Sequence, residues 1–256
     1  MTDWTIGFDP YTLSATAFTR GSGTLTADSD KPKPKRPRKQ QERSLKTQRK
    51  LLDAALEAFA ENGFKGTSTR DIAERAGVHH PLITYHFRNK EELWRAAADR
   101  VFARFIRVLQ SVQEDTAERP PRERMAAMIR AYVRYAAEHP TLHKVLFQES
   151  SHSNPRLDWL IETYMRPLYD VATDDLRKLQ ADGIAPPGDP ALLFNMIRVS
   201  AGALLALNVE LKGSSGIDLA EPGRIDELAD MIIDIFLPGG RHPAHETRDA
   251  ADPQTA

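Results

Sequence analysis

The chain has 256 residues, of which 41% are hydrophobic, with a formal net charge of -1 and no cysteine. That is enough apolar material for one large core or two modest ones, and the missing thiols exclude disulfides, thiolate metal centres and cysteine nucleophiles. No apolar run approaches the roughly 18 residues that a membrane span needs, and the N-terminus lacks a basic stretch followed by an apolar one; a cytoplasmic protein with no signal peptide and no membrane partner is expected.

Residues 1–45 read as a disordered basic N-terminal arm. They mix Gly, Ser, Thr and Asp before a Lys/Pro run that buries too little apolar surface to offset its ordering entropy. Positions 31–50 carry Lys or Arg ten times and a single acid, Glu42, whereas the chain beyond about residue 110 leans acidic. The near-neutral balance therefore leaves room for a nucleic-acid partner. The basic run reads equally well as a solvated tail or as an arm touching phosphates or a minor groove.

From residue 46 onward the pattern predicts helices and no strands. Leu52, Ala55, Leu56 and Phe59 recur at the helical period, and Asn62-Gly63 ends that helix. A second helix runs from Ser68 to Ala76. Ser68 with Asp71 three residues on forms a capping box, and Gly77 stops the helix so that Val78 can fold back. A third spans His80 to His86, with Pro81 in the first turn, where a missing N–H loses nothing. Asn89 caps a long helix with Leu93, Ala97, Val101 and Phe105 on its apolar face. Further helices fit 122–138, 140–151, 155–182, 190–212 and 223–237, separated by Pro- and Gly-containing breaks. The chain is expected to be all-α, with a second loose tail at 239–256.

On the third helix Ile83 and Phe87 can lock to a core, which leaves His80, Leu82, Thr84, Tyr85 and His86 pointing elsewhere. A helix-turn-helix places such residues against base edges and backbone. An ordinary helical corner would also have a polar surface, but the turn, the caps, the Tyr-His-Phe end and the basic flank coincide here.

These residues resemble the tetracycline-repressor (TetR) family of bacterial regulators. The likeness covers about residues 46–105 and rests on Ala54-Ala55, Phe59, Gly63-Phe64, Thr67-Ser68, Ile72-Ala73, Ala76-Gly77-Val78, Tyr85-His86-Phe87, Asn89-Lys90 and Leu93. The resemblance implies an N-terminal three-helix DNA-binding domain over 46–105. It also implies a helical effector-binding and dimerisation domain over 106–238, in a homodimer on a near-palindromic double-stranded operator, with a small-molecule effector that shifts the DNA modules out of register. By the same resemblance, Thr69 and Lys90 would meet phosphates beside Ser68 at the helix start, and Arg70 would read guanine O6/N7. His80 and Thr84 would reach base edges, and Tyr85 and His86 would meet the DNA backbone. His79 departs from the family's usual capping residue, and Leu82 replaces a small or polar one, where it could touch a thymine methyl.

Behind this module, Ala201, Gly202, Leu204, Leu205 and Val209 form one apolar stripe, and Leu228, Met231, Ile232, Ile235 and Phe236 another. Both suit a four-helix dimer interface, with two helices from each subunit; the interior of one chain is the lesser alternative. His143, Phe147, Trp159, Tyr164, Met165 and Tyr169, followed by Phe194, Asn195 and Met196, could line a pocket for an apolar or aromatic effector. His139 and His143 are four apart, but Pro140 starts the helix between them, so no metal site is expected. No Gly-rich phosphate loop, HExxH or paired inward carboxylates stand out, so no catalytic residue and no cofactor is expected. The leading expectation is a ligand-released repressor; the alternative is a constitutive or activating DNA-binding protein of the same fold without an effector.

Overall fold

The computed structural model describes residues 38–238. Residues 1–37 and 239–256, which hold most of the predicted arm and all of the predicted tail, lie outside the described residues. The chain runs through α1 (Arg38–Gly66), α2 (Thr69–Ala76), α3 (Pro81–His86), α4 (Lys90–Asp115), α5 (Pro121–Glu138), α6 (Pro140–Ser150) and α7 (Pro155–Leu160). A π-helical turn at Ile161–Met165 follows, then α8 (Arg166–Ala181), α9 (Pro190–Ala206), α10 (Asn208–Ser215) and α11 (Arg224–Phe236). No strand occurs among the described residues.

Three boundaries differ from the sequence-based expectation. Residues 38–45, expected in a disordered arm, are the opening turns of α1. After Pro37 the chain holds no further Pro or Gly until Gly63, and Arg, Lys, Gln and Glu are good helix formers, so the helix runs back to Arg38 without a breaker. The expected 155–182 helix is interrupted by the π turn, where the Arg166 N–H donates to the Ile161 carbonyl. Pro167 follows at once, and a proline ring that would strike the carbonyl four residues back is relieved by widening the turn. The expected 190–212 helix bends by 75° after Ala206. There Asn208 Nδ2 donates to Asp218 and Asn208 Oδ1 accepts from the Leu219 N–H, which ties α10 to the loop before α11.

Two apolar clusters hold the helices together. The first joins Leu51, Ala55, Phe59, Ile72, Ile83, Phe87, Leu93 and Trp94 of the N-terminal helices to Tyr135 of α5, to Leu142, Val145 and Leu146 of α6, and to Leu160 and Tyr164. The second packs Ala126, Ile129 and Val133 of α5 against Leu176, Leu193, Ile197, Ala201, Leu228, Ile232 and Phe236. The N-terminal helices thus share one core with α5 and α6, and α4 runs unbroken past residue 105, the boundary expected between domains. Much of the two predicted dimer stripes lies inside the chain: Ala201, Gly202, Leu228, Ile232 and Phe236 are buried. Val209, Met231 and Ile235 remain exposed, joined by Leu192, Met196 and Val199. A helical stripe records burial and not which molecule provides it.

Candidate nucleic-acid interface and ligand cavity

The α2–α3 corner is set by local chemistry. Ser68 Oγ accepts from the Asp71 N–H at 3.1 Å while Asp71 Oδ2 accepts from the Ser68 N–H at 3.2 Å, and these bonds hold the Asp71 carboxyl below its usual range. At the other end Gly77 adopts φ 64°, ψ 39°, its N–H donating to Glu74 O and the Val78 N–H to Ala73 O, each at 3.0 Å. This is a glycine-dependent helix stop that leaves the chain aimed into α3. Ile72 and Ala73 bury α2, and Ile83 and Phe87 bury α3. Arg75 pairs with Glu61 of α1 and clamps the corner from outside.

The residues expected to meet DNA fall into three groups. Arg70, Leu82, Thr84 and Tyr85 are exposed, and Arg70 makes no hydrogen bond or ion pair among the described residues. Thr69 and His80 are brought together, Oγ1 to Nε2 at 3.0 Å, so each orients the other. Thr84 donates to its own helix at Pro81 O, and Tyr85 meets the His86 ring edge-on. Burial holds the His86 pKa below its usual value. Neither His79 nor His80 supplies a side-chain cap to α3, which rests on packing. Ser68 is committed to capping. Lys90 turns inward: its Nζ donates to Phe64 O at 2.8 Å and Thr67 O at 2.9 Å and sits over the Phe64 ring. It ties the first residue of α4 to the end of α1, and one of its three N–H groups remains for another acceptor.

The second feature is a cavity of about 480 Å3 lined by α4, α5, α6, α7, the π turn, α8 and α9, within the size range of small-molecule sites. Of the expected lining residues His143, Tyr164, Met165, Phe194 and Asn195 face it, as does Tyr169. Phe147 does not; it is 42% exposed on the far side of α6. Trp159 does not either, because it packs edge-on between Trp94 and Tyr164. Phe102, Phe105, Ile106 and Leu109 of α4 and Met125, Met128 and Tyr132 of α5 add walls that the sequence does not announce. On a sequence they read as ordinary core stripe, and only the folded chain reveals a void beside them.

At one end of the cavity Tyr132 donates its single proton to Arg198 O at 2.9 Å and lies 2.8 Å from His143 Nε2. The imidazole must therefore donate from Nε2, which leaves Nδ1 a bare acceptor, buried and without a partner. Burial, reinforced by the Arg198 guanidinium, pulls the His143 pKa down to about 4, so the ring is neutral near pH 7. Burial also raises the Tyr132 and Asp175 pKa values. His139 instead lies between α5 and α6, against the Tyr135 ring. Among the described residues no group of three or more His, Cys, Asp or Glu could hold a metal ion.

The His143 shift fixes a pH dependence. The unfolded ring binds a proton near pH 6.5 and the folded one only near 4, so stability is full above 6.5 and is lost as pH falls toward 4. The loss is expected to reach roughly 3 kcal/mol. Urea unfolding at pH 7 and pH 4.5 should show it, and His143→Gln should flatten the difference.

Comparison with known proteins settles the family. The model for "Bacterial regulatory proteins, tetR family" matches residues 51–97. The HTH-type transcriptional repressor KstR2 of Mycobacterium tuberculosis is 33% identical over 156 residues, covering 58% of this chain and 74% of that protein. The chain belongs to the tetR family. RutR of Escherichia coli, an HTH-type transcriptional regulator, is 24% identical over 79% of this chain and 94% of its own. Among solved structures, FadR of Bacillus subtilis in complex with stearoyl-CoA shares the fold at TM-score 0.56 and 22% identity, over 75% of this chain and 99% of that one. This tetR-family chain is accordingly a DNA-binding transcriptional regulator whose α2–α3 corner is its helix-turn-helix.

Proposed function

We propose that this chain is a homodimeric cytoplasmic repressor that binds a near-palindromic double-stranded operator and leaves it when a small, apolar or aromatic molecule fills the cavity. The observation that carries this reading is the placement of α4. Phe102, Phe105, Ile106 and Leu109 form one wall of the cavity, while Lys90 at the start of the same helix holds the carbonyls that precede the helix-turn-helix. A constitutive DNA-binding protein has no use for such a void. KstR2 is named a repressor and FadR binds stearoyl-CoA, which fits the same reading.

In this reading Arg70 reads a guanine, His80 and Thr84 reach further base edges, and Leu82 meets a thymine methyl. Thr69 and the remaining N–H of Lys90 meet phosphate, Tyr85 and His86 meet the backbone, and Ser68 holds the helix start. The reading unit spans 46–105 and the effector and dimerisation unit 106–238, with α4 common to both. The exposed Leu192, Met196 and Val199 of α9 and Met231 and Ile235 of α11 are the faces for a second copy. Two-fold symmetry then puts half-sites about one DNA turn apart.

Selecting bound fragments from genomic DNA and screening small molecules for release tests the whole reading. Failure to retain any fragment sinks it, and a bound operator that no compound releases transfers it to the constitutive alternative. Arg70→Ala is expected to cost about 1–3 kcal/mol at a single operator position and to relax specificity there, read by competition with single-base variants. Removing residues 1–37 is expected to lower the slope of log K against log salt by about 0.9 for each phosphate that the arm neutralises. An unchanged slope assigns those residues to solvent.

A further inference from the structure

The cavity's charges are not balanced alike. Three ionisable side chains of acid or base type line it besides His143 and the tyrosines: Arg166, Asp175 and Arg198. Arg166 is paired with Glu162 at 2.7 Å, and Asp175 with Lys178 at 3.4 Å. Arg198 has no acidic partner among the described residues; its Nε and one terminal nitrogen donate only to the amide oxygen of Asn195, at 3.3 and 3.1 Å. A guanidinium beside an apolar void with only a neutral acceptor is under-compensated, and it leaves a terminal N–H pair for a planar anion.

The neighbours of Arg198 hold it in place without competing for it. Tyr132 bonds the Arg198 carbonyl and so fixes that turn of α9, and Asn195 holds the fork of its side chain. His143 is neutral, so it neither repels the guanidinium nor supplies a second positive charge. Gly202, one turn further on, has no side chain to hold α9 away from the His143 ring, and α9 lies close against the tyrosine–histidine pair.

We propose that the effector is an apolar acid, a molecule with a hydrocarbon or aromatic body and one carboxylate, which pairs with Arg198 while its body lies among Phe102, Phe105, Met128 and Ile161. A single guanidinium suits a single carboxylate, and the remaining lining residues offer the body no further charge to satisfy. This inference rests on the cavity being the effector site, and its test separates the two.

Laurate and 1-dodecanol share a chain length and differ in the head group. Their affinities for the full-length protein are measured by displacement of an environment-sensitive apolar dye, and operator release is followed in parallel. Wild type is expected to bind laurate at least about tenfold more tightly than dodecanol. Arg198→Met should remove that preference while leaving dodecanol binding unchanged, and Arg198→Lys should restore part of it. Equal binding of the two probes by wild type, or a preference that survives Arg198→Met, overturns the carboxylate assignment. Binding with the expected preference but without operator release upholds the head-group assignment and overturns the effector reading. Failure of both probes to bind overturns both.

Discussion

Arg156→Ala is expected to cost about 3–5 kcal/mol of folding stability, a loss set by what the side chain leaves behind. Arg156 Nε lies 3.1 Å from both carboxylate oxygens of Glu149, whose side chain is only 6% exposed. The same guanidinium sits 3.9 Å from the centre of the Phe64 ring and 3.6 Å from Glu91 in the first turn of α4. Removing it strands a nearly buried carboxylate and unfastens α7 from the segment that leads into the helix-turn-helix. Urea unfolding followed by circular dichroism measures the loss. The double variant Arg156→Met/Glu149→Leu should recover most of it, because no uncompensated charge then remains. A loss below about 1 kcal/mol for Arg156→Ala would mean that water reaches Glu149 freely.

Gly202→Val is expected to cost about 3 kcal/mol or more by overpacking, and to abolish any response to a ligand in the cavity. A Cβ at this position would stand 2.3 Å from His143 Cδ2, 2.8 Å from its Nε2 and 3.2 Å from the Tyr132 hydroxyl. Those atoms belong to a ring and a phenol joined to each other, the phenol also bonded to the α9 backbone, so they cannot step aside as a flexible chain tip would. The new side chain must push α9 outward or drive His143 into the void. Thermal unfolding reads the first effect and dye displacement from the cavity the second. Unaltered dye binding would show that the His143 end of the void is dispensable.

How much of the fold and the site is legible in the sequence depends on whether the governing interaction is local. The capping box at Ser68 and Asp71, the glycine stop at Gly77 and the cap at Asn89 involve neighbours within a few residues, and each forms as the sequence predicts. The bend after Ala206 has no Gly or Pro beside it to announce it; it follows from Asn208 reaching a loop ten residues away. Pro167 does mark the break at Ile161–Met165, but a proline inside a long periodic stretch reads as readily as a first-turn residue. The cavity is half legible. His143, Tyr164, Met165, Phe194 and Asn195 carry chemistry that draws notice, whereas Phe102 and Met128 are indistinguishable in sequence from residues that fill space. The family resemblance casts Lys90 as a cation for phosphate, and its commitment to two carbonyls of the chain itself depends on where α1 ends.

The uninterrupted course of α4 has a mechanical consequence. Its 26 residues contain neither Gly nor Pro, so it is a stiff rod roughly 39 Å long. With no joint along its length, a push near Phe105 cannot be absorbed locally and must swing the rod as a unit. A tilt of only about 5° would carry its far tip through an arc of roughly 3 Å. Lys90 grips the segment ahead of the helix-turn-helix at that tip, so a displacement too small to disturb the cavity's packing would still re-aim α2 and α3.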